Sequence, residues 1–129
     1  MTNENSEQLA WQAMEAGNYV AALPLLKALA ESNSEYALLS LGWIYETGAL
    51  GAPDKTAARS FYEHAAQVGS ADAYGRLGSL LIDDGHEEQA ETAFRRGAEL
   101  GDEDSHSMIE RFADKSEEQR AYQSIEARL

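Results

Sequence analysis

Apolar residues recur along this chain at the three- and four-residue spacing of amphipathic helices, in stretches separated by glycine- or serine-bearing breaks. The pattern predicts about eight short helices. The first covers residues 5–16, with Leu9, Ala13 and Ala16 inward, and Gly17-Asn18 ends it. The second covers 19–32 and contains Pro24, which is either early enough to be tolerated or kinks the first turns. Ser34 is placed to cap a third helix over 35–47, and the longest loop, 48–53, leads to Asp54, the expected cap of a fourth that reaches Val68. Ser70 precedes a fifth over 71–83, Asp84-Gly85 makes a tight turn, and a sixth covers 86–100. A seventh is expected over 103–113 and an eighth over 117–128, capped by Ser116 with Glu118 and Gln119 in support. No run alternates with a period of two, so the chain reads as all-α, and loops of about two to six residues make successive helices antiparallel neighbours.

Two stretches within this pattern copy one another. Ala37, Leu41, Gly42 and Tyr45 recur after 36 residues as Ala73, Leu77, Gly78 and Leu81; Ala57, Phe61 and Ala65 recur after 33 as Ala90, Phe94 and Ala98. A fixed period in this range marks a helical solenoid, in which each hairpin buries its apolar face only by stacking on its neighbours. Gly42 and Gly78 fall mid-helix, at a cost of about 1 kcal/mol each against Ala, which makes sense where two helices approach closely. Phe61 and Phe94 are expected to fill the space between hairpins.

The string A-x3-L-G-x2-Y-x2-G, a loop, then A-x3-F-Y-x2-A-A-x2-G-x3-A over residues 37–73 resembles the Sel-one-like repeat (SLR), a relative of the tetratricopeptide repeat (TPR). Residues 73–105 match with departures: Leu81 replaces the Tyr, Arg95 follows Phe94, and the loop after Gly85 is short. Residues 6–33 look like a plain TPR unit around Ala16-Gly17-Asn18-Tyr19, and 105–129 keep only the helical pattern. The resemblance implies one repeat domain over 1–129: a TPR-like hairpin at 6–33, SLR units at 35–69 and 71–101, and a C-terminal capping hairpin at 103–129. Its fold would be a right-handed α-solenoid of antiparallel helix hairpins, and its role that of an adaptor or scaffold in protein complexes. Some cysteine-rich members of the family are linked to penicillin and peptidoglycan chemistry; a chain with no Cys departs from that branch.

Charge narrows the partners. The formal net charge is −13, from 23 acids against 10 bases. Phosphate neutralisation drives nucleic-acid binding, so DNA, RNA and anionic lipid surfaces are repelled and basic partners attracted; the plainer reading is that the acids keep a helical surface soluble. Residues 1–20 hold no cationic, apolar leader, and no apolar run nears the roughly 18 residues of a membrane span, so a cytoplasmic location is expected. No cofactor, metal or catalytic site is expected. There is no thiol, no phosphate-binding glycine loop and no G-x-S-x-G elbow. His64, His86 and His106 lack a helical zinc spacing. Asp83-Asp84 with Glu87-Glu88 lack the ligand spacing of an EF-hand, and Asp102-Glu103-Asp104 suit the start of a helix.

In the repeats this chain resembles, the first helix of each hairpin lines the concave groove. Alignment on Ala10, Gly42 and Gly78 then puts Trp11, Trp43 and Ser79 on the inner surface, followed by Met14, Glu46 and Ile82 and by Glu15, Thr47 and Asp83, with Glu7, Leu39 and Gly75 three positions earlier. Both tryptophans would stand side by side among Glu7, Glu15, Glu46, Asp72 and Asp83, with Gly75 and Ser79 leaving room beside Trp43. Aromatic hot spots ringed by acids suit a basic or aromatic peptide segment. Alternatively, Trp11 and Trp43 wedge neighbouring hairpins together. The stripe Tyr122, Ile125 and Leu129 either caps the end of the stack or pairs with another copy. A self-associating module or a fragment of a longer array therefore stands as the alternative to an adaptor; an enzyme has no constellation in its favour.

Overall fold

The computed structural model describes residues 3–128. Among them lie seven helices and no strand: α1 (Asn3–Glu15), α2 (Tyr19–Glu31), α3 (Glu35–Thr47), α4 (Lys55–Gln67), α5 (Ala71–Asp83), α6 (Glu87–Glu99) and α7 (Glu103–Ala127). The all-α expectation holds, and α2 runs unbroken through Pro24. The caps are side-chain oxygens taking otherwise unpaired first-turn N–H groups. Ala37 N–H donates to Ser34 Oγ at 3.2 Å, Ala57 N–H to Asp54 Oδ1 at 3.0 Å, and Ser105 N–H to Asp102 Oδ2 at 2.9 Å.

The helix count is seven, not eight, because 103–127 form one helix where two were expected. Every other break between helices contains a residue with positive φ: Gly17, Asn33, Gly48, Gly69, Gly85 and Gly101. At Gly48 (φ 73) a β-carbon would also meet the Pro53 ring at 2.8 Å, so that turn needs glycine. Ala113-Asp114-Lys115-Ser116 offers no such residue, and a mid-helix Ser costs only a few tenths to about half a kcal/mol, so the helix continues. Leu129, the last member of the expected apolar stripe, lies outside the described residues.

The chain divides into two compact units between Ala73 and Tyr74. In the first, α1 packs on α2, α2 on α3 and α3 on α4. Ala10, Ala22, Leu26, Leu38, Leu41, Ala58, Tyr62 and Ala65 are completely buried there. Gly42 exists for Tyr62: a β-carbon at 42 would sit on that ring. Phe61, expected to fill this space, instead lies half-buried, stacked on Tyr45 with centroids 5.5 Å apart and planes 15° apart.

The cause is register. The loop from 48 to 54 has seven residues and that from 84 to 86 has three, so α3 and α5 begin 36 residues apart but α4 and α6 only 32. Tyr62, not Phe61, is therefore the counterpart of Phe94. In the second unit Phe94 lies against Gly78, where a β-carbon would come within 2.6 Å of its ring. Leu81, Ala90 and Phe94 form the centre of this unit, with Met108, Ile109 and Phe112 of α7 packed around them. Full burial of each such ring is worth roughly 2–3 kcal/mol.

Gly75 does not leave an open space. A β-carbon there would lie 2.6 Å from Asp102 Oδ2 and 3.0 Å from Ser105 Oγ, so the start of α7 occupies the gap. Ser105 is fully buried, its hydroxyl donating to Asp102 Oδ2, and Gly97 leaves room for it on the α6 side.

Candidate functional site

A shallow cleft of the first unit lies between α1 and the start of α3. Glu4, Glu7, Gln8 and Trp11 project from α1, Tyr36 closes the other side, and the cleft measures about 480 Å³. Spacings of three and four along α1 put Glu4, Glu7, Gln8 and Trp11 on one face. Ser34 ties the two helices: its hydroxyl donates to Glu7 Oε1 at 2.8 Å while its oxygen caps α3. Trp11 keeps 52% of its surface exposed, so half of the indole is open to a ligand.

Tyr36 is the electrostatic marker of this cleft. Burial pushes its phenol above the ordinary value, a side-chain hydrogen bond with Ser40 works the other way, and the negative fields of Glu15 and Glu7 push upward again. The fields of two α1 carboxylates thus reach one α3 hydroxyl that lines the same cleft as an exposed indole. Such a wall is negative and aromatic, the surroundings that favour a cation over a ring face.

The other expected groove residues divide. Met14 and Leu39 are half-buried and Glu15 is exposed. Trp43 is half-buried and rests on Tyr19, the first residue of α2, at 5.5 Å between centroids and 56° between planes. Trp11 lines its cleft with Tyr36, which lies seven residues or roughly 10 Å along α3 from Trp43. Glu46 is half-buried and accepts a hydrogen bond from Tyr62 Oη at 3.3 Å, which ties its carboxylate to the buried ring. Thr47 turns back to the Trp43 carbonyl at 2.8 Å. Asp72 is exposed in the first turn of α5. Ser79 and Asp83 belong to the second unit; both are exposed, and the Ser79 hydroxyl donates to the Gly75 carbonyl at 3.2 Å. Asp72 and Asp83 both interact with other groups of the chain.

A solved structure similar to this chain is that of a protective antigen present in uropathogenic Escherichia coli strains, which displays an SLR fold. The two are 28% identical with a TM-score of 0.67, over 75% of this chain. The chain has an SLR/TPR-like repeat fold. It spans 22% of the length of that antigen. No family model matches the chain and no curated protein matches it. No helix among the described residues is long and apolar enough to cross a membrane.

SLR/TPR-like folds often mediate protein interactions, and it is within this fold that Tyr36, Glu4 and Gln8 become notable. Reading only the positions that follow the small landmark residues passes over all three. The signal for Tyr36 was its place seven residues before Trp43, on the same face of α3.

Proposed function

We propose that this SLR/TPR-like chain is a non-enzymatic adaptor that binds a basic peptide segment on the face shared by α1 and α3. The observation that carries this reading is the exposed Trp11 set against Tyr36 and flanked by Glu4 and Glu7. A Lys or Arg side chain entering there would lie over an indole face within reach of carboxylates, a pairing worth about 0.5–2 kcal/mol for the ring contact. The net charge of −13 would raise the encounter rate of such a segment and repel acidic competitors. Met14, Glu15, Leu39 and Trp43 would extend the footprint along the same two helices.

The test is selection from a random-peptide display library against the whole chain. Enriched peptides should carry net positive charge, and Trp11→Ala should weaken them by about 30-fold, a loss of roughly 2 kcal/mol. Because Trp11 is half exposed, circular dichroism should show the variant still helical. Enrichment of acidic peptides, or binding indifferent to Trp11→Ala and Glu7→Gln, would sink the proposal.

A further inference from the structure

We propose that α7 of one molecule pairs antiparallel with α7 of a second copy, independently of the peptide cleft on the first unit. From Ala113 to Arg128 every residue of the helical segment is exposed, including Tyr122 at 70% and Ile125 at 57%. A helix with isolated propensity alone is marginal at this length in water, so a bare half-helix with two large apolar side chains invites a partner.

The spacing says which partner. Met108, Arg111, Lys115, Glu118, Tyr122 and Ile125 follow one another at alternating steps of three and four, the heptad spacing of a helix–helix seam. The first four of them line a cleft of about 390 Å³ that Ile82 and Phe112 floor with apolar surface. One chain thus carries both an apolar-floored cleft at the front of α7 and an exposed apolar pair at its end, the self-complementary arrangement that a two-fold interface requires.

Charge selects the direction and register. In an antiparallel pair centred between positions 115 and 118, Lys115 faces Glu118 of the second copy and Glu118 faces its Lys115. Arg111 then faces the ring of Tyr122, and Met108 faces Ile125, so each position meets a complementary group. Parallel pairing would set Lys115 on Lys115, Glu118 on Glu118 and Arg111 on Arg111. Sliding the antiparallel pair by one heptad places either Lys115 on Ile125 and Glu118 on Tyr122, or Arg111 on Lys115. Within one molecule Lys115 Nζ lies 3.3 Å from Glu87 Oε1, but both side chains are well exposed, so that ion pair holds Lys115 weakly and it can exchange partners. Charged residues in a seam lower its stability while specifying its register, so a weak dimer is the expected product.

Sedimentation equilibrium of the whole chain at about 0.15 M salt tests this, with a dimer expected at a dissociation constant of roughly 1–100 µM. Lys115→Glu, which opposes two carboxylates at both symmetry-related pairs, should weaken the dimer roughly tenfold; adding Glu118→Lys should restore it. Tyr122→Ser with Ile125→Ser should leave a monomer that keeps the helical signal of α1 to α6, since both positions are exposed and only the end of α7 depends on the partner. A monomer up to about 0.5 mM overturns the proposal. So does a dimer insensitive to Lys115→Glu, or a charge reversal that fails to restore association.

Discussion

Gly42 carries two opposed effects in a single residue. Replacing it by Ala improves the intrinsic helix propensity of α3 by about 1 kcal/mol. It also drives a methyl group into the Tyr62 ring, which is completely buried and tied through its hydroxyl to Glu46. A rigid ring in a close-packed site cannot yield as a flexible side-chain end could, and overpacking of this kind costs about 1–3 kcal/mol. The steric term wins. Urea denaturation of Gly42→Ala should show a net loss of up to about 2 kcal/mol, against a gain if the ring could move aside. At the same scale, Tyr36 registers the field of the cleft. Its folded pKa stands above the unfolded value of 10.0, so its contribution to stability is intact below pH 10 and is lost as the pH rises through the folded pKa. Tyr36→Phe should remove that alkaline step from the stability profile.

The helices differ in how they begin. α3, α4 and α7 start with Ser34, Asp54 and Asp102, each accepting a first-turn N–H. α6 starts at His86, whose side chain makes no capping bond. The propensity and charge of its first turn, with Glu87 and Glu88 facing the helix dipole, are otherwise favourable. His86→Ser should therefore stabilise the chain by about 0.5–1 kcal/mol in urea denaturation, and no gain would mean that solvent already satisfies those N–H groups. The elements also show how far local signals carry. Boundaries of the first six helices were readable to within two residues, because caps and positive-φ residues mark them locally. The continuation of α7 was readable too, in the lack of Gly or Asn between 113 and 116, but a Ser with Glu and Gln behind it gave a competing capping signal.

At the scale of the whole molecule, charge is the least balanced quantity. Ion pairs such as Arg59–Glu63 at 2.8 Å and Arg95–Glu91 at 2.7 Å are exposed and contribute only about 0.3–0.5 kcal/mol each. A net charge of −13 on 129 residues gives a diffuse repulsion in the compact state that exceeds the screening loss of those few pairs. Raising ionic strength from about 10 mM to about 150 mM should therefore raise the thermal midpoint by roughly 2–5 °C, read by circular dichroism. A fall would show that the pairs outweigh the repulsion. Of the candidate site, Trp11, Glu7 and Glu15 could be named from the repeat frame, but the place of Tyr36 across the cleft from Glu7 and Trp11 could not, since it depends on how α1 and α3 are set side by side.

By itself the sequence determined the helical class, the breaks up to the start of α7, the recurrence of the α3 landmarks in α5 and the acidic surface. Each of these rests on interactions within a few residues or on composition alone. Only the tertiary structure decided that Tyr62 rather than Phe61 opposes Gly42, that α7 fills the space beside Gly75, and that Trp43 leans on Tyr19 while Trp11 stays open. Those outcomes turn on the register of one helix against another. A loop four residues shorter shifts that register by about one helical turn without altering any local signal.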